Sequence, residues 1–274
     1  MANLFSSTTI RSASHPLARQ VRDLCKGVRE RREHGLFLIE GPRALDEAFQ
    51  AEAPLAWVMV AAERLDETTV ATAIATARER RVPVQPVASE LLVRLAPTEH
   101  GPGLLAACRL PANCDDAASL LQQRAGLVVV IWQPVQPGNV GSLIRSAAAF
   151  GAGGVITVGG ADPWNEKSVR ASAGAIHRIA VARADESAIS SLLRERGGRV
   201  AAAVAHGGVD PQHVDWNQLE VLLLGSETKG LPAALCLEAT TLTLPLAAGV
   251  ESLGVAMAGT VLLAMAHLRL RSTP

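Results

Sequence analysis

The sequence predicts an α/β protein made of two parts, and two patterns in the chain indicate this class. After residue 127, three apolar runs are each followed by a glycine turn and a helical or apolar segment, which favours a parallel sheet with its site at the strand ends. Before residue 111, short strands alternate with helices, as in a small α/β sandwich. The polar stretch Pro111–Asp116 is the predicted linker. The expected domains are therefore residues 1–110 and 117–274, joined by residues 111–116.

The composition narrows the class of protein further. The chain has 274 residues, 49% of them hydrophobic, which is enough for a core and excludes global disorder. Its formal net charge is zero, so any binding of nucleic acid depends on local clusters of charge. None of the four cysteines forms a C-x-x-C pair, which argues against a zinc site and favours free thiols in a reducing compartment. The N-terminus shows no secretory signal pattern, so we expect a cytoplasmic protein.

Residues Pro16–His34 are predicted to form an amphipathic helix with a basic face. Apolar residues recur at helical spacing from Leu17 to Val28. The cations on another face are Arg19, Arg22, Lys26 and Arg29. A solvated helix face would explain these charges, and so would a surface that follows the phosphates of a nucleic acid. The residues alone leave both interpretations open.

The stretch Gln136–Phe150 carries the pattern around which the second part is organised. Val128–Ile131 before it is a continuous apolar run, as expected for a strand that is buried on both faces. A Pro-Gly pair ends that strand, and Asn139 is the predicted N-cap of the helix that follows. Arg145 is expected one to two turns into this helix, beside a turn whose backbone N–H groups point into a cleft.

The uncharged run Ser252–Leu268 is near the minimum length for a membrane span. It contains two glycines and continues directly from a glycine turn. We therefore expect a buried or interface helix here and no membrane association.

Three motifs of the second part follow one another in a characteristic order. They are Asn139-x-Gly141-x-x-x-Arg145-x-Ala147-x-x-Phe150-Gly151, then Gly225-x-Glu227-x-x-Gly230-Leu231, then Leu244-Pro245-Leu246 with Ser252-Leu253. Their order and spacing resemble the SpoU/TrmH branch of the SPOUT RNA methyltransferases over roughly Val128–Arg271. The resemblance implies a parallel-sheet α/β domain with a trefoil knot and S-adenosylmethionine as methyl donor, without a metal. It also implies the ribose 2′-hydroxyl of an RNA as acceptor and a homodimer through the C-terminal domain.

The same resemblance implies roles for individual residues. Arg145 is the expected catalytic arginine, Asn139 and Glu227 are its expected partners, and Ser252 is a further catalytic candidate. The expected donor contacts are Gly225, Leu244, Leu246 and Leu253. Because an arginine side chain stays protonated, we expect Arg145 to hold the ribose-phosphate and stabilise the developing alkoxide, with Glu227 orienting its guanidinium. A carboxylate that complements a helix dipole is the alternative interpretation of Glu227.

The third motif departs from the family pattern. Family members usually carry Ser-Leu-Asn-Val-Ser where this chain has Ser252-Leu253-Gly254-Val255-Ala256, so an amide and a hydroxyl are missing. In the family these groups help to arrange the donor and the arginine. Three consequences are open: weakened catalysis, a rearranged site in which Ser252 or Glu251 compensates, or a protein that binds RNA without methylating it. The fold is expected to survive, because glycine and alanine are small.

The first part resembles, more loosely, the L30e-like substrate-binding domain of many SpoU-type enzymes, as in the stretch RERREHGLFLIEGPRALDEA. This favours the RNA interpretation of the basic helix face, and it favours ribosomal over transfer RNA because transfer-RNA members commonly lack the domain. The segment 162–175 borders the RNA entrance in the family, so Arg170 is a further RNA-binding candidate, with a polar connector as the alternative. A tRNA 2′-O-methyltransferase and a catalytically impaired RNA-binding relative remain as alternative functions. A nucleotide-binding oxidoreductase is disfavoured, since no Gly-x-Gly-x-x-Gly follows a strand.

Overall fold

The structure of the protein is a computed structural model that describes residues 8–98, 101–122, 126–250 and 252–271. It consists of two compact units. Unit 1 comprises the described residues up to Pro111 together with Trp164–His177, and unit 2 comprises Ala112–Pro163 and the described residues from Arg178 onward. The segment Trp164–His177, which the expected domain boundaries place in the second domain, therefore packs with unit 1.

Up to Pro111, helices alternate with the strands of a four-stranded mixed sheet. The elements are α1 Pro16–Lys26, α2 Val28–His34, β1 Leu36–Glu40, α3 Pro42–Gln50, β2 Leu55–Ala61, α4 Thr68–Glu79, β3 Val84–Val87, α5 Ser89–Leu95 and β4 Leu104–Arg109, with a 3₁₀ turn at Ala62–Arg64. The strand order is β1-β4-β2-β3. β4 is antiparallel to both of its neighbours, and β3 is parallel to β2. This is the small α/β sandwich that the alternating pattern predicts.

The helix predicted over Pro16–His34 is in fact two helices. Gly27 separates α1 from α2 with extended backbone, because glycine is the weakest non-proline helix former. The break lets Arg31 turn inward, where its guanidinium donates to the carbonyl of Leu24 at 2.8 Å. The apolar stripe of α1 faces the core of unit 1, as its spacing predicts.

From Ala112 onward, the strands alternate with helices and short 3₁₀ turns. The elements are α6 Ala117–Gln122, β5 Val128–Trp132, α7 Pro137–Ala149, β6 Gly154–Val158, α8 Glu166–Ala171, β7 Val181–Ala184, α9 Glu186–Arg194, β8 Val200–Ala203, β9 Val221–Leu224, α10 Ala233–Cys236, β10 Thr240–Leu242 and α11 Val255–Arg271. The 3₁₀ turns are Ala175–His177, Gly197–Arg199, Pro211–His213 and Trp216–Gln218. α8 belongs to unit 1.

Unit 2 is built on a six-stranded parallel sheet in the order β10-β8-β9-β5-β6-β7. β5, β6 and β9 are buried along their whole length, as expected for strands covered on both faces. The parallel sheet predicted from the strand–turn–helix crossings is confirmed. The trefoil knot implied by the resemblance stays a prediction.

The C-terminal helix α11 packs along α7. A Cβ added to Gly259 would lie 2.6 Å from side-chain atoms of Leu143 and Leu224, so the absence of a side chain allows the close approach. The hydroxyls of Ser146 and Thr260 are 2.7 Å apart across the same contact. Within the part of the chain that the structure describes, no helix combines the length and the apolar character needed to cross a membrane.

Candidate active site

A cavity of about 340 Å³ lies at the carboxyl ends of three parallel strands. The last residues of β8, β9 and β10, which are Ala203, Leu224 and Leu242, line it. The turn after β9, the segment after β10 and the first turns of α11 complete the wall. Strand ends in a parallel sheet are where ligand sites form, and the crossings in the sequence predict a site at this edge.

The four residues expected to contact a methyl donor all line this cavity: Gly225, Leu244, Leu246 and Leu253. Ser252 and Glu227 line it as well. Gly225 is required by a tight turn, because an added Cβ would lie 2.6 Å from the carbonyl carbon of Gly230. The wall is mostly apolar and offers few polar side chains, which suits a ligand with one large uncharged face.

Glu227 joins the cavity wall to the start of α7. One carboxylate oxygen accepts the backbone N–H of Val135 at 2.9 Å. The other accepts the side-chain amide of Asn139 at 2.8 Å and the backbone N–H of Gln136 at 3.4 Å. The second motif is thus bonded directly to the first, through a carboxylate at the N-terminal end of a helix.

The hydrogen bonds to Glu227 decide its charge. Partial burial raises the pKa of this carboxyl, but the donors on Val135, Asn139 and Gln136 stabilise the ionised form more strongly. The net result is a pKa below the ordinary value of glutamate. Glu227 is therefore an anion at neutral pH whose oxygens are already engaged.

The N-cap predicted at Asn139 is wrong. α7 begins two residues earlier, at Pro137, and Gln136 occupies the N-cap position. Proline suits the first helical position because it has no N–H to satisfy and its φ angle is already helical. Asn139 is consequently inside the first turn, and this position allows its amide to reach Glu227.

Arg145 is exposed on α7 and lies outside the wall of the cavity. The expected contact with Glu227 is not formed, because that carboxylate is held by the first turn of α7. Within residues 8–98, 101–122, 126–250 and 252–271, no hydrogen-bond or ion-pair partner contacts the guanidinium of Arg145. The expectation that Glu227 orients Arg145 directly is therefore corrected: Glu227 contacts the helix that carries Arg145.

The altered third motif forms the start of α11. Gly254 lines the cavity with a positive φ of 72°, and an added Cβ would meet nothing within 4 Å. Ala256 is buried. Open space thus lies where the family usually carries an amide side chain. Glu251, the other candidate for compensation, lies outside the described residues.

The match to protein-family models decides the family. Residues 126–264 match the SpoU rRNA methylase family, and residues 16–106 match the MRM3-like substrate binding domain. The chain belongs to the SpoU rRNA methylase family. The cavity of this SpoU family member is lined by residues of the second and third motifs and lies inside the matched region.

Curated relatives resemble this SpoU family member over most of their length. The 23S rRNA (uridine(2479)-2′-O)-methyltransferase of Streptomyces viridochromogenes is 31% identical over 245 residues, covering 85% of this chain and 83% of the relative. The 23S rRNA (guanosine(2553)-2′-O)-methyltransferase RlmP of Bacillus subtilis is 30% identical over 244 residues, covering 88% and 91%.

Solved structures of other proteins show the same fold. An rRNA methyltransferase from Sinorhizobium meliloti with bound AdoMet is 26% identical and superposes with a TM-score of 0.80, over 96% of this chain and 98% of the other. The SpoU methyltransferase AviRb from Streptomyces viridochromogenes, in complex with the cofactor AdoMet, is 28% identical with a TM-score of 0.80, over 93% and 98%. The fold of this SpoU family member is therefore that of the SPOUT methyltransferases.

The cations predicted to bind RNA are all exposed and all lie in unit 1: Arg19, Arg22, Lys26, Arg29 and Arg170. Most of them contact neighbouring groups of the same unit. Lys26 pairs with Asp23 at 2.7 Å, and Arg29 pairs with Glu33 at 2.8 Å. None of these side chains is among the residues that line the cavity described above.

Arg170 has a partner that the sequence did not suggest. Its guanidinium lies 3.5 Å from a carboxylate oxygen of Glu40, whose side chain is 9% exposed. The contact joins α8 to the end of β1 within unit 1. An RNA role for Arg170 stays a prediction, and it would compete with this ion pair.

The sequence patterns missed two parts of the site. The backbone N–H groups of Val135 and Gln136 bind Glu227, and the proline at 137 is the signal that would have placed the N-cap at Gln136. The loop after β8, including Val204 and Ala205, lines the cavity. Its only signal is that it follows a strand which lies next to β9 in the sheet.

Proposed function

We propose that this protein transfers a methyl group from S-adenosylmethionine to a ribose 2′-hydroxyl of ribosomal RNA. The observation that carries the proposal is the cavity at the ends of β8, β9 and β10, lined by the second and third motifs and bonded through Glu227 to the helix of Arg145. The relatives from Streptomyces viridochromogenes and Bacillus subtilis are named as 23S rRNA 2′-O-methyltransferases, which supports ribosomal over transfer RNA.

The cavity fits the proposed donor. Its volume of about 340 Å³ falls within the range of small-ligand pockets, roughly 300–1,000 Å³. Leucines 224, 244 and 246 offer an apolar wall for an adenosine, and the backbone of the Gly225 turn offers hydrogen-bonding groups at the edge of that wall. Gly225, Leu244, Leu246 and Leu253 would hold the donor. Ser252 would present its hydroxyl to the polar part of the donor.

When bound, the donor supplies a methyl group that is already attached to its leaving group. The protein must then place the acceptor oxygen in line with that methyl group. The exposed guanidinium of Arg145 would bind the ribose-phosphate and stabilise the negative charge that develops on the 2′-oxygen. Glu227 would fix the first turn of α7 through Val135 and Asn139, so it acts on the orientation of the helix. The proton of the acceptor hydroxyl would pass to solvent water as the new carbon–oxygen bond forms and the carbon–sulfur bond breaks.

The test is transfer of labelled methyl from S-adenosylmethionine to unmodified RNA. Ribosomal RNA and transfer RNA, both transcribed in vitro, are incubated separately with the full chain. We expect label in ribosomal RNA at one nucleotide whose phosphodiester resists alkali, because a 2′-O-methyl group blocks the attack that cleaves the strand. Label confined to transfer RNA would contradict the choice of substrate, and label in an alkali-sensitive product would contradict the choice of acceptor atom.

The open space at Gly254 motivates a second candidate, a SpoU relative that binds RNA without methylating it. The same assay decides between the two. Donor binding by calorimetry, together with no label in naked or ribosome-assembled RNA, would favour the second candidate. Turnover by the unmodified chain would show that Gly254 and Ala256 are compatible with catalysis.

We also propose that the protein forms a homodimer through α11 and acts in the cytoplasm. Apolar side chains of this helix remain exposed in the single chain: Met257 by 56%, Val261 by 39% and Leu268 by 65%. A second copy of the chain would cover them. Analytical ultracentrifugation should show a dimer for the unmodified chain and a monomer for Met257→Glu. A monomer at every concentration for the unmodified chain would refute the dimer and leave the proposed reaction untouched.

A further inference from the structure

The hydroxyl of Thr243 joins two segments that form the cavity wall of unit 2. The first segment is the loop after β8, residues 204–209, here called the β8 loop, in which Val204 and Ala205 line the cavity. The second is the segment after β10, in which Leu244 lines it. Thr243 is partly buried and comes directly before Leu244, but it does not itself line the cavity.

This hydroxyl makes two hydrogen bonds to the backbone of the β8 loop. Its oxygen accepts the N–H of Gly208 at 2.9 Å. Its hydrogen is donated to the carbonyl of Val204 at 3.2 Å. A threonine can form both bonds because a hydroxyl is a donor and an acceptor at once. The two partners stand near opposite ends of the loop, so one side chain closes it.

Backbone hydrogen bonds hold the two ends of the β8 loop against the end of β10. The N–H of Val204 donates to the carbonyl of Leu242 at 2.9 Å, and the N–H of Val209 donates to the carbonyl of Thr241 at 2.8 Å. The N–H of Thr243 donates to the carbonyl of Val209 at 3.1 Å. The hydroxyl of Thr243 therefore acts on a loop whose ends are already paired.

The tip of the β8 loop depends on this hydroxyl. Residues 205–207 are exposed and form no hydrogen bond within the ranges that the structure describes. The loop approaches β10 closely at Gly208, where an added Cβ would lie 2.6 Å from the carbonyl carbon of Leu242. The bond from Gly208 to Thr243 thus fixes the far side of the tip, and with it the position of Ala205 in the cavity wall.

We infer that Thr243 is a positioning residue for the methyl donor, because its hydroxyl holds the β8 loop in the conformation that completes the cavity wall. The inference rests on the proposed function, in which this cavity binds S-adenosylmethionine. A loop that is ordered before the ligand arrives loses less freedom on binding, so the hydroxyl raises the affinity for the donor. Thr243 acts through the loop, and the rate of methyl transfer from bound donor does not depend on it.

The experiment compares Thr243→Val with Thr243→Ser in the full chain. Valine keeps the shape of threonine without the hydroxyl, whereas serine keeps the hydroxyl and loses a methyl group. Thr241→Val is the matched control, since Thr241 lies on β10 outside the cavity wall and its hydroxyl has no hydrogen bond among the described residues. Thr243→Ala, which also removes the hydroxyl, replaces Thr243→Val if that variant does not fold.

Four quantities are measured for each variant. They are the dissociation constant of S-adenosylmethionine by calorimetry, kcat for methyl transfer at saturating donor, the melting temperature, and amide hydrogen exchange in the β8 loop. We expect Thr243→Val to raise the dissociation constant about tenfold, to keep kcat within about twofold and to accelerate exchange in the loop. Thr243→Ser and Thr241→Val should behave like the unmodified chain.

A lower melting temperature of Thr243→Val with an unchanged dissociation constant would overturn the inference, because the hydroxyl would then stabilise the fold alone. An equal loss of affinity in Thr243→Ser would also overturn it, since the hydroxyl would not be the group responsible. If the unmodified chain binds no S-adenosylmethionine, the proposed function itself fails. Binding by the unmodified chain that Thr243→Val leaves unchanged refutes the role of Thr243 and leaves the proposed function standing.

Discussion

In unit 2, the carboxylate of the second motif lies in a cavity wall and is held by several hydrogen bonds, whereas the predicted RNA-binding cations of unit 1 lie on exposed surfaces. In unit 2, Glu227 alone bonds to three donors on the start of α7 and lines the cavity. In unit 1, Lys26 and Arg29 each pair with a carboxylate on their own helix, and both cations are exposed. Single substitutions should therefore have large effects in unit 2, and small, additive and salt-dependent effects in unit 1.

The largest effect is expected for Arg145→Ala. Loss of a group that stabilises charge on the reacting oxygen lowers kcat about 10²–10³-fold. The affinity for S-adenosylmethionine should not change, because Arg145 lies outside the cavity wall. Steady-state kinetics and calorimetry measure the two quantities, and Arg78→Ala, at an exposed arginine of α4, is the control. A loss of donor affinity in Arg145→Ala would place this residue in the donor site instead.

Glu227→Gln should lower kcat about tenfold, because one amide cannot accept all the bonds that the carboxylate accepts. The variant also tests whether the carboxyl of Glu227 is ionised in the folded protein. Since the pKa of Glu227 is lowered in the folded protein, its contribution to stability is complete above the ordinary glutamate value and is lost as pH falls through the lowered value. The melting temperatures of the unmodified chain and the variant should therefore approach each other at acidic pH. A difference in melting temperature that increases toward low pH would contradict a lowered pKa for Glu227.

In unit 1, Arg19→Ala should weaken RNA binding more than Lys26→Ala does. Lys26 is paired with Asp23, whereas no side-chain partner of Arg19 is found in the described ranges. Each lost phosphate contact reduces the slope of log K against log salt by about one. Filter binding at several salt concentrations gives both slopes. Equal slopes in both variants and the unmodified chain would favour the solvated-face interpretation.

The smallest effect is expected for Gly254→Asn. Asparagine tolerates the positive φ at this position, and the space in front of it is open, so the melting temperature should move by no more than a few degrees. Gly254→Val is the contrasting variant, because a β-branched residue is strained at positive φ. Equal melting temperatures for the two variants would show that the backbone there relaxes freely. A gain in kcat for Gly254→Asn would show that the missing amide matters.

The sequence predicted the parallel sheet of unit 2 because the sheet follows from local patterns, whereas the donor contacts were implied by the family resemblance and stay a prediction for residues that line the cavity. Apolar runs before glycine turns give strand ends, and strand ends in a parallel sheet converge. The contacts of Glu227 and Arg170 were not predictable in the same way. Glu227 was expected beside Arg145 but bonds to Asn139, and Arg170 was expected at the RNA but pairs with Glu40. Such partners depend on side-chain reach across elements that are far apart in the sequence.

The sequence also did not predict that the segment Trp164–His177 packs with unit 1. The segment lies between two strands of the second part, and its polar composition is that of a surface connector. The packing of Phe37 on the ring of His177 and the ion pair of Arg170 with Glu40 show that it belongs to unit 1. By contrast, the break at Gly27 is visible in the sequence, as a glycine inside a helical pattern.

The strand order of unit 2 also sets the order in which a growing chain can fold. β5, β6 and β7 are neighbours in both sequence and sheet, so they can pair soon after they leave the ribosome. β9 must then return to pair with β5, joining Val128 to Val221, and such long-range parallel pairing is slow. The cavity wall comes from β8, β9, β10 and α11, which all follow β7 in the chain and are therefore synthesised late. Nascent chains stalled before α11 would therefore carry a partly paired sheet that cannot capture the methyl donor.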